Sequence, residues 1–240
     1  GDISPTIFGA VFESTLNPET RRSGGMHYTS IENIHKVIDP LFLDDLKKEF
    51  KEIQAVTVRR TKEKRLDEFQ NKLASLTFLD PACGSGNFLT ETYLSLRRLE
   101  NEVIRERVGG QITLGEVHNP IKVSIQQFYG IEINDFAVTV AKTALWIAES
   151  QMLEETKNIV YGFNDDFLPL KTYVNITEGN ALRIDWNEVV PVERLSYIMG
   201  NPPFVGYSYQ SESQKKDIEN VYVDENGKST STAVSYTHLR

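Results

Sequence analysis

From Thr77 onward the chain alternates short apolar runs with segments of helical periodicity, the runs falling at Thr77–Leu79, Phe128–Ile131, Val174–Thr177 and Tyr197–Met199. Runs this short, each separated from the next by enough chain for a helix, predict parallel strands joined by crossover helices, because parallel neighbours cannot be linked by a tight turn. The first crossover helix is expected from Phe88 through Leu99, followed by a looser insertion ending near Pro120. Asn134 or Asp135 can cap the second, whose Val138, Ala141, Leu145 and Ala148 line one face. The expected fold is α/β, with about four parallel strands and flanking helices.

A different texture precedes the strands. Ile7, Phe8, Val11 and Phe12 recur at helical spacing, and a turn-rich stretch from Arg21 to Thr29 follows. Thr29 with Glu32 three residues later forms a capping-box pattern; Ile31, Ile34, Ile38 and Leu41 share one face, and Pro40 is expected to stop that helix. Asp44 to Leu73 reads as a charge-dense helical stretch with Leu46, Phe50, Ile53, Leu66, Phe69 and Leu73 as its apolar stripe. Its nine Lys/Arg could face DNA, but seven Asp/Glu are mixed among them, which favours a solvated face. The division expected is a helical segment over residues 1–75, a catalytic domain over 76–230, and a tail over 231–240.

Bulk properties exclude several classes. The net charge of −8 repels a phosphate backbone, so most of the grip on any DNA substrate is expected elsewhere. One cysteine, Cys83, rules out a disulfide framework, and His27, His35, His118 and His238 have no metal-ligand spacing, so no metal is expected. No run approaches the roughly 20 apolar residues of a membrane span. A reducing, cytoplasmic setting is expected. The chain begins at Gly1 rather than Met, so its natural start is expected upstream.

Three short segments carry chemistry. Asp80-Pro81-Ala82-Cys83-Gly84-Ser85-Gly86 is a strand end and a glycine-bearing turn before a helix, either a plain tight turn or a cradle where backbone meets a nucleotide. A dinucleotide fold is disfavoured, because the pattern is Gly-x-Gly-x-x-Leu and the next strand-end acid lies far beyond the expected spacing of about 20 residues. That acid is Glu132, which as a pure acceptor can take two ribose hydroxyls or can be an ordinary surface carboxylate. Asn201-Pro202-Pro203-Phe204 is either a proline-rich turn or a site for an amine with a delocalised lone pair. In the second case the Asn201 oxygen and the Pro202 carbonyl accept the two N–H protons, and Phe204 stacks on a base lifted from the duplex.

Taken in order, Tyr28-Thr29, Asp80 to Phe88, Ile131-Glu132-Ile133-Asn134, Gly179-Asn180-Ala181-Leu182 and Asn201-Pro202-Pro203-Phe204 resemble the adenine-N6 DNA methyltransferases whose Tyr-Thr motif precedes the glycine loop. The opening Ser4 to Glu13 and the stretch after Phe204 are similar to the large MmeI-like restriction-modification methylases. The resemblance implies a partial Rossmann-like class I methyltransferase sheet and S-adenosylmethionine as cofactor. Its implied partner is double-stranded DNA with a flipped adenine. By the same resemblance Tyr28 and Thr29 contact the methionine end of the cofactor, and Asp80, Ala82, Gly84 and Gly86 wall its amino and carboxylate groups. Glu132 holds the ribose, Ile133 packs on the cofactor adenine and Asn180 bonds its edge, although many relatives carry Asp in place of Asn180. Asn201, Pro202, Pro203 and Phe204 form the catalytic motif.

Cytosine-C5 chemistry is excluded: it needs a cysteine nucleophile, and Cys83 lies inside the glycine loop. Two other functions compete, a methyltransferase for guanine N2 of rRNA or protein glutamine, and a non-catalytic cofactor-binding module. Tyr28-Thr29 ahead of the loop disfavours the first, and a competent residue at every catalytic position disfavours the second. Such enzymes have more strands than the four found, and Ala233 to Arg240 departs from the family pattern. The chain is therefore expected to be truncated, with a non-native tail, and to be inactive by itself.

Overall fold

The computed structural model describes residues 4, 5, 8, 11, 29–109, 120–160, 173–202 and 210–221. At its centre is a four-stranded sheet of β1 (Phe78–Asp80), β2 (Phe128–Glu132), β3 (Asn175–Glu178) and β4 (Tyr197–Ile198), in the order β3-β2-β1-β4. Every pairing is parallel, with Phe78 opposite both Phe128 and Tyr197, and Gly130 opposite Ile176. All four expected runs are strands, within a residue or two at each end.

Alternation along the strands divides the core. Phe78 and Phe128 point to one face, where their rings stack at 5.1 Å beside Tyr197 and Phe42. Leu79, Tyr129 and Ile131 point to the other, where Val190, Ile184 and Trp186 meet them. The first face is covered by helices from both halves of the chain. They are α1 (Ile31–Ile38), α2 (Asp44–Gln54), α3 (Arg59–Ser75), α4 (Asn87–Val108) and α5 (Asp135–Lys157), whose Ile34, Phe50, Leu73, Leu96 and Leu145 share a single core with Phe78.

Three local expectations need correction. Ser30, not Thr29, caps α1, its Oγ accepting the Asn33 N–H at 3.3 Å. Pro40 does not end the helical path. A π-helical turn over Asp39–Leu43 carries the chain directly into α2, and the wider turn accommodates the proline ring and its missing donor. The altered phase leaves Leu41 41% exposed and buries Phe42 and Leu43 instead, whereas Ile31, in the first turn of α1 and ahead of the π-turn, is 37% exposed. The stretch from Asp44 to Leu73 is likewise two helices, α2 and α3, separated at Ala55–Val58. Its six apolar stripe residues are all buried. Several of its charges pair within the stretch, Arg59 with Glu63 at 2.9 Å and Lys72 with Glu49 at 2.6 Å, while Lys62 and Asp67 pair with Glu106 and Lys122 beyond it.

Two further short elements matter to the site: α6 (Trp186–Val189) after β3 and α7 (Glu212–Val221) after the Asn-Pro-Pro-Phe segment. No helix among the described residues is long and apolar enough to cross a membrane.

Candidate active site at the strand ends

In an open parallel sheet, ligands bind outside the carboxyl ends of the strands. Here those ends carry Asp80, Glu132, Asn180 and Asn201. The loop after β1 is shaped by its own hydrogen bonds, as the Cys83 N–H donates to the Ile131 carbonyl at 3.0 Å and the Gly86 N–H to the Cys83 carbonyl at 2.8 Å. Gly84 and Gly86 adopt φ of 52° and 81°, the left-handed region that glycine reaches without strain. Gly86 also opens α4 in close contact with α5, so a Cβ there would lie 2.9 Å from that of Ala141. Packing alone demands glycine at that position.

Glu132 ties this loop to β2. Its Oε2 accepts the Gly84 N–H at 2.9 Å and its Oε1 accepts the Asn134 N–H at 2.9 Å. Each oxygen keeps further lone-pair capacity, so the carboxylate can still take hydroxyl donors from a ligand. Ile133 beside it is 67% exposed, an apolar surface at the strand end. The Glu132 carbonyl accepts the Gly179 N–H at 2.9 Å, which sets the start of the segment holding Asn180. Left-handed glycines, a strand-end carboxylate with spare acceptor capacity and an exposed apolar neighbour together fit a nucleoside-bearing cofactor.

Asp80, the last residue of β1, is 2% exposed and accepts the Ala82 N–H at 3.0 Å. Burial pushes its carboxyl up to about 7; the Ala82 hydrogen bond works against that shift and the nearby Glu132 charge adds to it. Gly200 lies directly against this carboxylate, where any Cβ would collide with it. The absent side chain lets the chain leaving β4 pass beside the glycine loop. The next residue, Asn201, is exposed and donates through Nδ2 to Thr29 Oγ1 at 3.1 Å. The Tyr-Thr and Asn-Pro-Pro-Phe motifs thus meet across 172 residues. Pro202 follows Asn201, half-buried, whereas Tyr28, Pro203 and Phe204 lie outside the described residues.

Two groups at the site escaped the sequence reading. Asp217 of α7 receives the Asn180 Nδ2 at 3.0 Å and the Arg183 fork at 2.8 and 3.0 Å. The hydrogen bond from Arg183 is the main reason its carboxyl sits below the usual range. His35 of α1 bridges Asp39 at 2.8 Å and Glu91 of α4 at 3.1 Å, pinning the helix that follows Thr29. The His35–Asp39 spacing of four residues was visible, but nothing local announces Glu91 or the pairing of Asp217 with Arg183. Cys83 is buried, and burial, with Asp80 and Glu132 adding to it, pushes its thiol up, so it stays protonated and is no nucleophile. Among the described residues no group of three His, Cys, Asp or Glu side chains could hold a metal ion.

Residues 56–238 match the family described as MmeI, DNA-methyltransferase domain. The chain is 43% identical over 222 residues to DNA methyltransferase A of Bacillus subtilis (strain 168), covering 92% of this chain and 24% of that protein. It is 34% identical over 74 residues to the adenine-specific methyltransferase PglX of Streptomyces coelicolor, covering 30% of this chain and 5% of that protein. A solved structure of the type IIL restriction-modification enzyme MmeI in complex with DNA superposes with a TM-score of 0.82 at 42% identity, over 94% of this chain and 30% of that one. The chain therefore spans less than a third of the length of these relatives.

Proposed function

Because the chain belongs to the family of the MmeI DNA-methyltransferase domain, we propose that it transfers a methyl group from S-adenosylmethionine to N6 of adenine in double-stranded DNA, within a restriction-modification or phage-defence system. The cofactor supplies an electrophilic methyl group on a sulfonium centre. Asp80, Ala82, Gly84 and Gly86 would shape the wall beside its methionine end, which Tyr28 and Thr29 would also contact. Glu132 accepts from the ribose hydroxyls, Ile133 packs on the adenine ring and Asn180 meets its edge.

Substrate adenine N6 is a poor nucleophile because its lone pair is spread into the ring. The Asn201 side-chain oxygen and the Pro202 carbonyl accept hydrogen bonds from its two N–H groups, which holds the lone pair toward the donor; as the N–CH3 bond forms the S–CH3 bond would break to leave a neutral thioether, and one N–H proton passes to solvent. Both hydrogen bonds strengthen as positive charge develops on N6, so they favour the transition state over the bound substrate. Phe204 stacks on the flipped base, a contact worth about 1–3 kcal/mol.

The observation carrying this reading is the convergence at Asn201. Gly200 is pressed on Asp80 of the glycine loop, and Asn201 is bonded to Thr29, so candidate cofactor and substrate groups stand side by side. The DNA complex of the similar MmeI and the adenine-specific name of PglX support the substrate. Replacing Asn201 with Ala in the full-length gene product should lower methyl transfer by about 10²–10³-fold while cofactor binding persists. Unchanged transfer would refute the assignment.

A further inference from the structure

The hydrogen bond between Asn201 and Thr29 does more than bring two motifs together, because it has a direction. A side-chain amide can present either its oxygen or its nitrogen to a substrate, and the two choices have opposite consequences for an amine. With Oδ1 forward, Asn201 accepts an N–H proton and leaves the N6 lone pair free. With Nδ2 forward, it donates to that lone pair and occupies the electrons that must attack the methyl group. The choice therefore has to be fixed before the base arrives.

We propose that Thr29 is the positioning residue that fixes it: by accepting from Asn201 Nδ2 at 3.1 Å, its hydroxyl oxygen holds the amide nitrogen away and the amide oxygen toward the incoming amine. The proposal rests on Asn201 being the catalytic acceptor. A threonine suits the task, since its branched Cβ restricts χ1. Its backbone is also well anchored. Ser30 caps α1 immediately after it, Ile34 and Ile38 of that helix are fully buried, and His35 ties the helix to Glu91 of α4. A hydroxyl can donate as well as accept, so the direction is set when the Thr29 hydrogen is given to an anionic acceptor such as the carboxylate of the cofactor's methionine end, which leaves only lone pairs for Asn201. One hydroxyl can thus touch the cofactor and orient the catalytic amide together.

The test uses the full-length gene product with Thr29→Val, which keeps the shape and removes the hydroxyl, and Thr29→Ser, which keeps the hydroxyl. Turnover on duplex DNA is measured at saturating S-adenosylmethionine, so that weaker cofactor binding does not enter kcat. Thr29→Val should lose about 10- to 100-fold in kcat, the loss typical of a group that orients a catalytic one, and Thr29→Ser should recover most of it. A Thr29→Val enzyme with undiminished kcat and only a raised cofactor KM would overturn the proposal, leaving Thr29 as a cofactor contact. Equal losses in the Val and Ser variants would overturn it too, since the hydroxyl would then be irrelevant. Asn201→Ala run in parallel separates the two claims. If it is inactive while Thr29→Val turns over normally, only the positioning role fails; if it is active, the catalytic reading of Asn201 fails first.

Discussion

Glu132→Gln tests whether one carboxylate serves both the fold and the proposed cofactor site. Its two oxygens each accept a backbone N–H at 2.9 Å, from Gly84 and from Asn134. A glutamine has one acceptor oxygen, so whichever way the amide turns, an NH2 group faces one of those donors and one bond is lost. A hydrogen bond to a charged group contributes about 1.5–3 kcal/mol. For a domain of this size each kcal/mol shifts the melting temperature by roughly 2–4 °C. Without cofactor, the variant should therefore melt about 3–12 °C lower, the smaller figure applying if relief of repulsion with Asp80 offsets part of the loss. The amide also has less capacity for ribose hydroxyls, and a loss of similar size lowers S-adenosylmethionine affinity about 10- to 100-fold. Differential scanning fluorimetry and titration calorimetry on the full-length gene product read the two effects separately. An unchanged melting temperature would refute the loop-anchoring role, and a lowered one with unchanged cofactor affinity would refute the ribose contact.

Two other perturbations follow from the same geometry. Gly86→Ala should destabilise by about 2–5 kcal/mol, combining roughly 1–2 for a left-handed backbone with about 1–3 for overpacking against Ala141. Ala141→Gly should relieve part of that cost in urea unfolding, and additive losses would contradict the contact. Asp80, with its carboxyl pushed up to about 7, is protonated in the folded protein at pH values where the unfolded chain has already ionised. The unfolded state then binds fewer protons, so cofactor-free stability should fall as pH rises from about 4 to about 7 and level off above that. Asp80→Asn should flatten this dependence, and an unaltered pH profile would show that another group causes it. In the proposed site an ammonium group of the cofactor beside Asp80 would favour the ionised form, so wild-type affinity should rise from pH 6 to pH 8.

The four strands were legible because each is a short apolar run between helical stretches, and a buried parallel strand needs no more than that. The stripe from Leu46 to Leu73 was legible for the corresponding reason of period. What failed was phase and continuity. A π-helical turn absorbed Pro40 and rotated α2 relative to α1, and no local pattern distinguishes that from a helix stop. Thr29 and Ser30 are both good caps, and the three-residue spacing to Glu32 favoured the wrong one. Glu132 and Asn201 were singled out as candidates from motif chemistry and Asp80 through the resemblance, and the structure brings their loops together. Asp217 and Arg183 were not found, because their pairing and the Asn180–Asp217 bond arise only when α7 folds back over the end of β3. The Thr29–Asn201 bond, spanning 172 residues, belongs to the same class of tertiary information.

Identification of the product tests the central claim most directly. Duplex DNA incubated with the full-length gene product and S-adenosylmethionine carrying a deuterated methyl group is digested to nucleosides and analysed by mass spectrometry. The account predicts label in N6-methyladenine, formed at a rate that Asn201→Ala lowers by about 10²–10³-fold. Label in a methylated cytosine instead, or N6-methyladenine undiminished in the Asn201→Ala enzyme, would contradict it.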